Sequence, residues 1–110
     1  MASIYHIVAE ADWQAAAAEG CYRPPSLAEQ GFVHFSHEHQ VDRVANLLYH
    51  DRDGLIVVEV DPDRLPEPVV EEDLYDAGER FPHVYTAIPT GAAVAEHPLH
   101  RDDNGDYRFR

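Results

Sequence analysis

At 110 residues, 45% of them hydrophobic, the chain has room for one domain with one core and is too apolar to be disordered. It carries 21 acidic and 8 basic side chains, a formal net charge of −13. The basic residues are all arginine and are scattered, which sets the chain against long RNA or DNA and anionic membrane surfaces. A single cysteine, Cys21, excludes an internal disulfide and a thiolate zinc cluster. With no signal-peptide pattern and no apolar run of about 18 residues, the expectation is a soluble, cytoplasmic protein.

In chain order, Ser3 to Val8 reads as a strand with Tyr5 and Ile7 on one face and Ile4, His6 and Val8 on the other. Ala11 to Glu19 is the best helix former, with Asp12 as its cap, Gly20 as its stop and Trp13 as its anchor on the sheet. Pro24 and Pro25 imply an extended loop, followed by a short capped turn over Ser26 to Glu29. Gly31 to Ser36 is a short strand in which Phe32, His34 and Ser36 share one face and Val33 and Phe35 point to the core. Ser36 is then placed to cap a helix from His37 to Tyr49, with Val41, Val44, Ala45 and Leu48 as its apolar stripe.

Leu55 to Val60 is a near-continuous apolar run, as expected of a strand covered on both faces. Val69 to Asp73 is a short strand that sends Glu71 and Glu72 to opposite faces, and 76–79 is a polar turn. His83 to Ile88 is a strand with His83, Tyr85 and Ala87 on one face; Ala92 to Leu99 is another, and 102–106 turns into a short edge strand at 107–109. This order of elements predicts a single α+β domain over 1–110, with a mainly antiparallel sheet and two main helices.

Eight histidines are an unusual load for this length. His34, His37 and His39 form an H-x-x-H-x-H run, but a strand-to-helix break lies within it and the last two are two apart on a helix, so we assign no metal site. His6, His34 and His83 each sit in an apolar strand. Singly, each reads as a core residue satisfied by a hydrogen bond. If a shared cleft joins them, they bring three imidazoles, Ser36 and Tyr85 within reach of one ligand, with pKa values suited to neutral pH. Glu71 or Glu72 is either a surface charge or an acid, base or ribose anchor. Neither a glycine-rich phosphate loop nor a nucleophile elbow is present.

Three segments carry a resemblance: Ile4-Tyr5-His6-Ile7, then Gly31-Phe32-Val33-His34-Phe35-Ser36 with Gln40, then Phe81-Pro82-His83-Val84-Tyr85. In order and spacing they are similar to the bacterial family called domain of unknown function 952, over about Ser3 to Val94. Glu71 matches an acidic position of that pattern, and Thr86 stands where the family commonly has glycine. The family in turn resembles the ADP-ribosyltransferase-like superfamily, most closely its RNA 2′-phosphotransferase branch. Tyr5-His6 is similar to that branch's tyrosine-histidine-glycine-threonine strand, although Ile7-Val8 replaces its last two residues. Val33-His34-Phe35-Ser36 is similar to its histidine-x-histidine-leucine strand, although Phe32 stands where the earlier histidine is expected. Only Arg23 or Arg43 is available as a counterpart of its phosphate-gripping arginines.

The resemblance implies a split antiparallel sheet with a nicotinamide-nucleotide cleft. It casts His6 on the ribose, His34 on phosphates or substrate, and Glu71 as the carboxylate that stabilises an oxocarbenium-like transition state. Tyr5, Ser36, Arg23, His83 and Tyr85 complete the ligand-binding set. NAD is the candidate substrate, with no tightly bound cofactor and a small-molecule nucleotide as partner. Three readings stay open: transfer or hydrolysis at the ribose, a ligand sensor without chemistry, and an acidic interaction protein with structural histidines.

Overall fold

The computed structural model describes residues 2–109. Strand β1 (Ile4–Ala9) runs without a linker into helix α1 (Glu10–Glu19). The Glu10 N–H donates to the Gly54 carbonyl at 2.9 Å, so Ala9 takes the cap position and Asp12 lies inside the first turn, not before it. Trp13 and Ala16 are the buried face of α1, and Gly20, at φ 84°, ends it by donating to the Ala16 and Ala17 carbonyls. After β2 (Cys21–Tyr22), the short turn expected over Ser26 to Glu29 is a six-residue helix, α2 (Pro25–Gln30), which also takes in Pro25 from the expected loop. Pro25 opens it at a position where its missing N–H is not needed and its fixed φ suits the helix.

Strand β3 (Val33–His34) is short, and Ser36 does not cap a helix as expected. Its backbone instead pairs with Tyr5 of β1: Tyr5 N–H donates to the Ser36 carbonyl at 2.9 Å and Ser36 N–H to the Tyr5 carbonyl at 2.7 Å. His37 starts a 3-10 turn, Glu38–Gln40, and only then does helix α3 (Val41–Leu48) begin. Val41 and Ala45 are fully buried as the periodicity predicts, but Leu48 at the stripe's end is 63% exposed. Strand β4 (Leu55–Val60) is buried on both faces. Strand β5 (Val70–Glu72) follows the proline-punctuated segment.

The expected strand from His83 to Ile88 divides into β6 (Phe81–Val84) and β7 (Ile88–Pro89), because the two halves have different partners. β6 pairs with β3 and β5, whereas β7 pairs with β2. Strand β8 (Ala93–Pro98) joins β4, and β9 (His100–Arg101) and β10 (Tyr107–Arg108) form the C-terminal hairpin.

Two small antiparallel sheets organise the chain, one ordered β1-β4-β8 and the other β3-β6-β5. The Tyr5–Ser36 bridge is the backbone link between them. The strand period of two sorts β1 and β4 into two cores. Ile4, Val8, Ile56, Val58 and Val60 pack with Trp13, Tyr22, Val33, Phe35 and Val84. Tyr5, Ile7, Leu55 and Val57 pack with Val41, Ala45, Tyr107 and Phe109. The α+β class with antiparallel sheets agrees with the sequence reading. No helix among the described residues is long and apolar enough to cross a membrane.

Candidate functional site

The antiparallel register of the second sheet sets His34 directly opposite His83, and His83 opposite Val70. Paired residues share a face, so one surface gathers the rings of Phe32, His34, Phe81 and His83. Phe32 stacks on His83 with centroids 4.3 Å apart, and meets His34 edge-on at 4.9 Å. His34 and His83 lie 5.7 Å apart, nearly perpendicular. From the loop between β5 and β6, Tyr75 stacks on His34 at 6.0 Å.

Hydrogen bonds assign each imidazole a role. The His6 Nδ1–H donates to the His34 carbonyl at 2.6 Å, and its Nε2 accepts from the Tyr22 hydroxyl at 2.7 Å. Both contacts fit the neutral ring, and burial lowers the His6 pKa to about 4. His34 accepts from the Tyr75 hydroxyl at Nδ1 (2.7 Å) and donates from Nε2 to Gln30 Oε1 (2.6 Å). Burial, and then the neighbouring His83, hold its pKa below the usual imidazole value. His83 is wholly buried and donates from Nδ1 to Glu72 Oε1 at 2.9 Å. The Tyr85 hydroxyl donates to the same Glu72 oxygen. These two contacts, the tyrosine first, hold the Glu72 carboxyl below the usual glutamate range.

His6, His34 and His83 all line one cavity of about 400 Å³ between β1, α3 and the 73–80 loop. Ser36, Tyr5 and Tyr75 also face it, and Val44, Leu47, Leu48 and Phe81 supply an apolar wall. No arginine, lysine, aspartate or glutamate is among the described lining residues. A second hollow, about 450 Å³, lies beside Ser3, Tyr5 and His37–His39. No cluster of three potential metal ligands occurs among the described residues.

The remaining predicted site residues fall elsewhere. Glu71 points to the other side of β5 and accepts from His37 Nε2 at 2.7 Å. Glu72 is thus the carboxylate that contacts the histidine cluster. Arg23 is exposed and lines neither hollow. Tyr85 is 43% exposed and acts on the cluster through Glu72 and through its ring, 5.3 Å from Phe32. The Tyr5 hydroxyl donates to Glu38 Oε2 at 3.0 Å.

Sequence reasoning missed Tyr75, which lies in a polar turn with no periodicity to orient it. It also left Gln40 without a role. Gln40 is buried and saturated: Oε1 accepts from the His37 N–H at 2.8 Å, and Nε2 donates to Glu79 Oε1 at 2.8 Å and to the Arg80 carbonyl at 2.9 Å. It ties the 3-10 turn to the start of β6.

No curated protein matches the chain. Among solved structures it is similar to protein CC0527 from Caulobacter crescentus. The crystal structure of that protein has a TM-score of 0.84 and 28% identity, with 96% of this chain and 93% of that one covered. Its solution NMR structure has a TM-score of 0.81 and 29% identity, covering 96% and 91%. A family model described as "Protein of unknown function (DUF952)" matches residues 7–96, a span that holds His34, Gln40, Glu72 and His83. The chain belongs to that family.

Proposed function

We propose that the protein is an ADP-ribosyltransferase-like domain whose cleft binds NAD or a smaller nucleotide-derived molecule. The observation that carries this reading is the meeting of His6, His34 and His83, from three separate strands, at one cavity of about 400 Å³. That size suits a small molecule, and the mixture of apolar wall and few polar groups is typical of ligand pockets. The flat rings of Tyr75, His34 and Phe81 in its lining suit a nucleobase or nicotinamide. The end of backbone pairing between β1 and the β3 segment after a single bridge supports a split sheet.

Binding without consumption is the version best supported, since the described wall carries no carboxylate to face a developing oxocarbenium ion and no cationic fork for phosphates. One observation favours the catalytic version, transfer or hydrolysis at the ribose C1′. Glu72 orients His83 from behind, as a carboxylate does in many acid–base pairs.

Calorimetric titration with NAD, ADP-ribose and a 2′-phosphorylated nucleotide tests the reading, with product chromatography alongside. Saturable binding to wild type that His34→Ala abolishes is the expected result. Release of nicotinamide would move the assignment to the catalytic version, which Glu72→Gln should then slow. No heat with any of these ligands, nor with a phosphate-free nucleoside or nicotinamide, from folded protein would sink the nucleotide reading.

A further inference from the structure

His83, one of the residues lining the cavity, carries a buried polar atom that the fold leaves unpaired. Nε2 of His83 is buried and has no hydrogen-bond partner among the described residues. The other wall imidazoles are fully occupied: His6 by the His34 carbonyl and Tyr22, His34 by Tyr75 and Gln30. With its Nδ1 hydrogen on Glu72, the Nδ1–H tautomer of His83 offers a bare lone pair at Nε2, on the edge away from that carboxylate. A buried acceptor without a donor is costly, and such groups cluster where a ligand completes them.

The surroundings of this atom restrict the ligand. Phe32 stacks on His83 at 27° between planes, and Tyr75 meets its ring at 6.0 Å. No charged side chain is among the described lining residues, in a protein of formal net charge −13. Phosphate recognition draws on arginine forks, lysines or arrays of free N–H groups. A phosphate dianion placed beside His6 and His34, whose pKa values burial lowers, would lose its hydration where the charged imidazoles that could compensate it are disfavoured.

We infer that the cavity takes a phosphate-free flat heterocycle, a free base or nucleoside, and that an N–H or O–H of this ligand donates to Nε2 of His83. The inference rests on the nucleoside reading of the cleft and narrows it: the recognised part is the uncharged end.

The test compares two ligand series on the full chain. Adenosine, guanosine, uridine and nicotinamide form the first; ADP-ribose, ATP and NAD form the second. Calorimetry measures affinity, and long-range proton–nitrogen NMR follows the imidazole nitrogens. At least one phosphate-free compound should saturate the protein and move the His83 Nε2 resonance from that of a bare acceptor toward a hydrogen-bonded one, while the His6 nitrogens stay in place. His83→Phe, which keeps a flat ring against Phe32, should weaken that compound about tenfold or more. If the variant fails to fold, the wild-type Nε2 shift decides. Binding confined to the phosphate-bearing series overturns the inference and leaves the nucleotide reading standing. Binding of a phosphate-free compound with Nε2 unmoved also overturns it. Silence in both series removes the inference and the nucleotide reading together.

Discussion

With Nδ1 donating to the His34 carbonyl and Nε2 accepting from Tyr22, the His6 ring has no place for a second proton, and this makes the fold sensitive to mild acid. The unfolded imidazole binds its proton near 6.5 and the folded one at about 4, so the unfolded state takes up more protons between those values. Stability from His6 is therefore complete above the upper value and falls as pH drops through the window. The loss is about 2 kcal/mol by about pH 5 and on the order of 3 kcal/mol below the lower value. Urea midpoints measured across this range should fall in wild type, and the slope should be shallower in His6→Gln. His34, also shifted down, adds in the same direction. A second residue-scale prediction concerns Gln40: Gln40→Ala removes three hydrogen bonds at a buried site and should cost about 2–4 kcal/mol, read as a lower urea midpoint. The strand histidines were legible because each interrupts an apolar run whose face is set by parity. The choice between Glu71 and Glu72 was not, since adjacent residues of one strand face opposite ways and only the pairing with β6 decides which side holds the rings.

Helix α1 stops at Gly20 because a left-handed residue is required there, and both carbonyls it satisfies belong to the last turn. Gly20→Ala should lower stability by about 1 kcal/mol in chemical denaturation, with no change in the cavity. Elements driven by local chemistry were visible from the residues alone: β4 from its apolar run, α1 from its alanines, the C-terminal hairpin from its Asp-Asn-Gly turn. Elements decided by partners were not. The run from His83 to Ile88 has uninterrupted strand propensity, yet it splits because β3 and β2 compete for its two halves. Ser36 has the chemistry of a cap, but two backbone bonds to Tyr5 hold it in extended pairing. Leu48 carries an apolar stripe beyond the core it was expected to meet, and with its neighbour Leu47 it lines the cavity.

Over the whole molecule, the excess of carboxylates spreads mutual repulsion across a small surface. Raising ionic strength from about 0.01 M to about 0.15 M shortens the screening length from about 30 to about 8 Å. The thermal midpoint at neutral pH should therefore rise over that range; a fall would mean that attractive pairs such as Arg43–Glu79 and Arg101–Asp53 outweigh the repulsion. The class of fold followed from the order of strands and helices. The cavity needed the three-dimensional arrangement of two sheets joined at one bridge. That arrangement also places the chain's one tryptophan usefully. Trp13 meets Tyr22 edge-on at 5.4 Å, and the Tyr22 hydroxyl bonds the His6 ring on the cavity wall. The indole is thus one residue removed from the site and shielded from solvent. Its emission is a built-in optical gauge: a ligand that shifts His6, or a proton that breaks its bond to Tyr22, changes the surroundings of a single fluorophore without any label.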